Sequence, residues 1–164
     1  MDFQRQTNRA LDDEHRATLD LMGRLERALT HGAGAEPWRD PALAPLAAAL
    51  VRHLELDVAR HFKFEERDLF PVLDAAGEGD LGALLAEEHV TILAVVADVL
   101  PRARAAAAGT LDAEGYAGLK RGTLELAAQL ADHIEKETRA LLPALEEALD
   151  EDADRELAFA HAGS

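Results

Sequence analysis

The chain has 164 residues, near the commonest size of one domain and long enough to bury a substantial core. A formal net charge of -15 repels phosphate backbones and anionic lipid, so neither nucleic acid nor a membrane is an expected partner. There is no cysteine, which removes disulfides, thiolate metal sites and redox thiols and leaves only nitrogen and oxygen to hold a metal. Much of the apolar content is alanine and leucine, and aromatics make up only 4%, a balance that favours an all-α chain. Met1 to Asp13 is polar with no apolar h-region, and no run approaches the length of a membrane span, so a soluble, cytoplasmic protein is expected.

A first helix is expected over about 5–30, with Leu11, His15, Thr18, Met22, Leu25 and Leu29 on one stripe at alternating steps of four and three. It ends in His31-Gly32-Ala33-Gly34-Ala35-Glu36-Pro37, a loop for which Trp38 is the expected anchor. Asp40-Pro41 reads as an N-cap with proline at the first position of a second helix over 41–76. Its stripe is Ala47, Val51, Leu54, Val58, His61, Glu65, Asp68 and Val72. Glycines at 77 and 79 stop that helix, and Asp80 is the expected cap of a third over 80–108, striped by Leu85, His89, Ile92, Val96, Val99 and Ala103. Gly109-Thr110-Leu111-Asp112 leads into a fourth helix over 112–149, with Leu119, Thr123, Leu126, Leu130, His133, Glu137, Ala140 and Ala144 on its stripe. The helical domain is thus expected over 1–150. The acidic run Asp150 to Asp154 reads as a solvated helix exit and 151–164 as an acidic tail holding a short helix at most.

The two halves repeat. Each member of the third stripe lies 74 positions after its counterpart in the first, Leu85 after Leu11 and His89 after His15. His133 and Glu137 lie 72 positions after His61 and Glu65, within a shared pattern H-x-x-x-E-x-R-x-L-x-P-x-L-acid that starts at His61 and again at His133. Asp13-Glu14-His15 likewise matches Glu87-Glu88-His89. A helical hairpin bearing one histidine and one His-x-x-x-Glu pair has been used twice.

Residues at i and i+4 lie one turn apart on one helix face, so His61 with Glu65 and His133 with Glu137 form two clamps aimed at the same interior. A pseudo-two-fold axis adds His15 and His89, giving four imidazoles and two carboxylates within a bundle core. Six ligands exceed what a structural zinc takes and suit two metal ions. Glu65 and Glu137 can bridge the ions, two histidines can cap each, and an oxo or hydroxo group can complete the sphere while one position stays open. This donor set suits iron, manganese or zinc. Glu14 and Glu88, with Asp57 and Gln129 one turn before the helix-two and helix-four histidines, are candidates to orient the ligands. Leu19, Leu85 and Leu93 are the expected hydrocarbon wall. Unpaired glutamates in apolar seams would each be costly, which favours a compensating cation over a purely structural role.

With His15, His61-x-x-x-Glu65 followed by Leu69-Phe70-Pro71, Glu88-His89, and His133-x-x-x-Glu137 followed by Leu141-Leu142-Pro143, the chain resembles the haemerythrin-like family of HHE cation-binding domains along its four helices. The resemblance implies an up-down-up-down four-helix bundle carrying two non-haem iron ions. It departs from oxygen-carrying haemerythrins in two places. Those add a second helix-three histidine one turn from the first, where this chain has Leu85 and Leu93, and place the fourth-helix acid five residues after its histidine, where this chain has Thr138. The implied function is therefore binding of, or reaction with, oxygen, nitric oxide or peroxide in sensing, iron handling or oxidative-stress protection, rather than oxygen transport. Enzymatic activity, if present, is expected to be weak and oxidase- or catalase-like. A ferritin-like oxidase is the alternative, but its Glu-x-x-His signature occurs at none of His15, His61, His89 and His133.

His53, one position off the seam, is expected at the surface or behind the ligands, and His31 and His161 in solvent. Phe62, Phe64 and Phe70 read as packing. Tyr116 lies 17 positions before His133, about 25 Å along a helix, and is no ligand candidate. No protein partner is legible.

Overall fold

The structure is a computed structural model, in which residues 3–31 and 35–163 are described. Gly32, Ala33 and Gly34 of the expected first loop lie outside the described residues, as do Met1, Asp2 and Ser164. Among the described residues the chain is all helical, with no strand, and no helix is long and apolar enough to cross a membrane. Helix α1 spans Gln6–His31, and a 3₁₀ turn at Pro37–Arg39 carries the half-buried Trp38. Helices α2 (Leu43–Arg52), α3 (Ala59–Phe64) and α4 (Phe70–Ala76) follow one another through π-helical turns at His53–Val58 and Glu65–Leu69. Then come α5 (Gly79–Ala107) and α6 (Ala113–Lys136), a third π turn at Glu137–Leu141, α7 (Leu142–Ala148) and α8 (Glu151–Ala162).

The stops follow backbone chemistry. Gly77 ends α4 at φ +89°, a left-handed conformation that only glycine adopts without strain, and the Glu78 N–H donates back to the Leu73 carbonyl at 2.8 Å. Asp112 starts α6 by accepting the Gly115 N–H at 2.8 Å. Two expected caps fall elsewhere. Asp40 accepts the Ala42 N–H at 2.8 Å and so holds the turn before α2, which begins at Leu43 rather than Pro41. Asp80 sits inside the first turn of α5, which starts one residue earlier at Gly79.

Two π turns explain why helix continues through Pro71 and Pro143. In an α-helix each ring would press on the carbonyl four residues back. Here the N–H of Phe70 donates to the Glu65 carbonyl and that of Leu142 to the Glu137 carbonyl, a five-residue span that widens the turn just before each proline.

The chain forms two compact units. One joins the described residues up to Ala17 with Ala59–Val90 and those from Asp132 onward; the other comprises the described parts of Thr18–Val58 and Thr91–Ala131. In the first, Leu11, Leu69, Leu73, Leu85, Leu141, Leu142 and Leu145 are wholly buried, with Phe64 and Phe70 beside them and Leu157 of α8 packed against the cluster. The second buries the remaining stripe residues of α1 and α5, including Met22, Leu25, Leu29, Ile92, Val96 and Val99, and the Tyr116 hydroxyl donates to the Leu29 carbonyl at 3.2 Å.

The expected tail is a three-turn helix with a capped start and a buried face. Asp150 accepts the N–H groups of Asp152 and Ala153. Asp154, expected in a solvated run, is buried and accepts the Gln6 N–H at 2.8 Å and the Thr7 N–H at 2.9 Å. Helix α1 has no acid in its own first turn, so carboxylates from the far end of the chain satisfy its free amides. Burial pushes the Asp154 pKa up, and these bonds from Thr7 and Gln6 outweigh it and lower it.

Candidate metal centre

All six predicted ligands meet within the first unit. His15 comes from α1, His61 from α3, His89 from α5 and His133 from α6, while Glu65 and Glu137 are each the first residue of a π turn. All are buried, both glutamates completely. Nε2 of His15 faces Nε2 of His61 at 3.2 Å, and Nε2 of His89 faces that of His133 at 3.1 Å. Glu65 spans the two pairs, with Oε1 at 3.3 Å from His61 and Oε2 at 3.2 Å from His89. Glu137 spans them in the other direction, with Oε2 at 3.0 Å from His15 and Oε1 at 3.0 Å from His133. Two overlapping groups result, His15–His61 and His89–His133, each completed by both glutamates, with ligand atoms within 4.8 Å of one another.

The chemistry of this cluster fits metal cations. None of the four carboxylate oxygens makes a hydrogen bond, although each lies within ion-pair distance of a histidine nitrogen. With the Nδ1 atoms of His61, His89 and His133 each on another carboxylate, their neutral rings would turn Nε2 lone pairs against these oxygens, so positive charge is needed between them. Without metal, protons supply it. Burial lowers the His61 pKa, but Glu65, Glu14 and Glu137 outweigh it and raise it well above the usual histidine value. Burial also lowers the His133 pKa, and Glu137, Glu88 and Glu65 outweigh it and raise it. For Glu137, burial raises the pKa, and His133 and His15 more than reverse this to hold it well below the usual carboxylate range.

Behind the ligands, Glu14 Oε2 lies 2.6 Å from Nδ1 of His61, and Glu88 Oε2 lies 2.8 Å from Nδ1 of His133. Both acids serve the histidine of a neighbouring helix rather than the one next to them in sequence. An ionised carboxylate can only accept, so each fixes the imidazole proton on Nδ1 and turns the Nε2 lone pair inward. Glu66 does the same for His89 at 2.8 Å, a partner absent from the sequence reading because its repeat counterpart, Thr138, carries no acid. Asp57 and Gln129 are not among these groups. Asp57 bonds His53 at 3.1 Å and Gln129 bonds Glu125 at 3.4 Å, both within the second unit.

His161 corrects the expectation of a solvated tail histidine. It is buried, its Nε2 donates to Glu14 Oε1 at 2.8 Å, and its ring stacks on Phe64 at 4.2 Å. A signal was present in the i, i+3, i+7 spacing of Asp154, Leu157 and His161. Arg60 also reaches Glu14 at 3.0 Å, and Lys136 reaches Glu88 at 2.7 Å. Burial raises the Glu14 pKa, but His161 and His61 overcome it and hold the group far below the usual carboxylate range.

The hydrocarbon around the ligands is partly aromatic. Phe62 stacks on His89 at 3.8 Å and meets His133 edge-on at 5.5 Å, and Phe70 lies 5.7 Å from His89. Leu85 is buried as expected, whereas Leu19 and Leu93, both in the second unit, are 40% and 42% exposed. The buried stripes step from His15 to Thr18 and from His89 to Ile92, which leaves position i+4 on the edge. His53 is buried rather than at the surface, bonded to Thr18 at 3.0 Å as well as to Asp57. His31 is exposed, as expected.

An all-helical chain that buries four imidazoles and two carboxylates in one cluster belongs to the metal-binding helical bundles. The profile of the Hemerythrin HHE cation binding domain matches residues 6–145, and the chain is a member of that family. Comparison with curated proteins and with solved structures returned no match.

Proposed function

We propose that this chain is a cytoplasmic di-iron protein that binds or reacts with a small ligand, oxygen, nitric oxide or peroxide, in sensing, iron handling or protection against oxidants. In this reading His15 and His61 would hold one iron and His89 and His133 the other, Glu65 and Glu137 would each serve both, and an oxo or hydroxo group would complete the centre. One observation carries it. Each glutamate places one oxygen on each histidine pair, the arrangement a carboxylate needs to serve two ions rather than one. The implied bundle is up-down-up-down and built from two hairpins, supported by the short turns at Gly77 and Gly109 and by the repeated pattern.

Iron, when bound, supplies redox-active positions open to a small molecule. The chain's own residues hold the imidazole protons on Nδ1 through Glu14, Glu66 and Glu88, and keep water from the His89 side through Phe62 and Phe70. Metal analysis of protein purified without added iron tests the reading, followed by optical spectra of the reduced protein exposed to oxygen and to nitric oxide. Two irons per chain and ligand-dependent spectra are expected; a chain that retains no iron after anaerobic loading refutes it.

A further inference from the structure

We propose that the two metal positions are unequal: the one between His89 and His133 binds tightly and fills first, and the one between His15 and His61 is the exchangeable one. This deepens the two-iron reading and rests on it. The ligand types are the same on both sides, so any inequality must come from what holds the ligands. The two sides differ in three respects.

First, both histidines of the His89–His133 pair have Nδ1 on a carboxylate, Glu66 at 2.8 Å and Glu88 at 2.8 Å. In the other pair only His61 does, through Glu14, whereas Nδ1 of His15 is buried with no hydrogen-bond partner. The break in the repeat accounts for this. Glu66 lies 72 positions before Thr138, so the residue that would stand behind His15 is a threonine. A histidine whose Nδ1–H is held by a carboxylate is a more basic and better oriented ligand, and removing such a partner typically lowers metal affinity by about 10–100-fold.

Second, the aromatic packing is closer on the His89–His133 side, since Phe62 lies 6.3 Å from His61 but nearer to both of the other rings. Phe62 lies flat on His89, with an interplanar angle of 8°, and edge-on to His133, and Phe70 adds a third ring against His89. The repeat counterparts of Phe62 and Phe70 are Ile134 and Leu142, and among the described residues the His15 ring meets that of His61, at 5.0 Å, and no phenyl ring. Third, His89 and His133 are 0% and 2% exposed, whereas His15 and His61 are 3% and 8%. Ligand basicity and the rigidity of the rings point the same way.

The test loads metal-free protein anaerobically with Fe(II) under calorimetry, and locates the first ion by iron anomalous diffraction from crystals holding one equivalent. Two steps are expected, the second weaker by at least about tenfold, with the first anomalous peak between His89 and His133. Glu66→Gln should weaken the first step by about tenfold, and Thr138→Glu should strengthen the second and close the gap. Far-UV circular dichroism confirms that each variant is folded, and the anomalous peak in the unaltered chain decides the order independently of the variants. Loading in one step, two equal affinities, or a first peak between His15 and His61 overturns the inference while leaving the di-iron reading intact. Failure of the unaltered chain to take up any iron overturns both.

Discussion

Replacing His161 by alanine removes two contacts whose sizes can be set down in advance. The bond to the ionised Glu14, 2.8 Å long with His161 buried, belongs to the class worth about 1.5–3 kcal/mol. The stack on Phe64 at 4.2 Å adds about 0.5–1.5 kcal/mol. His161→Ala is therefore expected to destabilise the metal-free protein by about 2–4.5 kcal/mol, and His161→Phe, which keeps a ring on Phe64, by less. Glu14 keeps its contact with Arg60 in both variants, so His61 should lose orientation rather than its partner, and iron affinity should fall by up to about tenfold. Denaturant unfolding of the chain, His161→Phe, Glu14→Gln and the double variant forms a cycle whose coupling energy isolates the bond. A coupling below about 0.5 kcal/mol with unchanged iron affinity would show that α8 merely covers the unit, and the reasoning from Glu14 to His61 would fail.

Glu65→Ala and Glu137→Ala should each lose more iron than His15→Ala or His89→Ala, because a bridging carboxylate serves both ions; equal iron content in all four after gel filtration argues against bridging. The pH dependence of the metal-free protein should run opposite to that of metal binding. His61 and His133 have raised pKa values, so their contribution to stability is complete below about pH 6.5, the unfolded value, and is lost as pH rises through the folded values. Iron competes with those protons, so affinity should rise over the same range; thermal midpoints with chelator and with iron across pH 5.5–8.5, roughly the span around that histidine value, check both slopes. Glu14 works at the acid end, contributing stability above about pH 4.3 that fades as pH falls toward its lowered folded value. Finally, with Leu85 rather than a second histidine one turn before His89, the reduced centre should not release oxygen on evacuation; full recovery of the reduced spectrum through several cycles would restore the carrier reading.

The helices and the six candidate ligands were legible because their signal is local. Leu11, His15, Thr18 and Met22 carry a helical period without reference to any other segment, and a histidine one turn from a glutamate in an apolar seam is conspicuous at once. What was not legible depends on distant pairs or on broken symmetry. Helix α8 has only twelve residues, and two of the groups on its buried face, Asp154 and His161, find partners 147 or more positions away in sequence. Glu66 was hidden because the repeat that exposed the other residues has Thr138 in its place. Leu19 and Leu93 are more exposed than expected because a stripe alternating three and four leaves the i+4 neighbour of each histidine at its rim.

The π turns at Glu65–Leu69 and Glu137–Leu141 have a mechanical consequence for the chain. An extra residue in a helical turn shifts everything beyond it by about 100° around the axis. Each turn therefore acts as a phase shifter, letting the ligand-bearing stretch that ends at Glu65 or Glu137 and the packing stretch that begins at Phe70 or Leu142 point in directions one straight helix could not satisfy together. Deleting a single residue from either turn would keep every ligand in the sequence and restore a regular ladder, yet swing His61 and Glu65, or His133 and Glu137, out of register with the leucines that anchor them. The aim of the ligands is set by a count of residues, so this stretch should tolerate substitution at Arg67 or Arg139 far better than the loss of either.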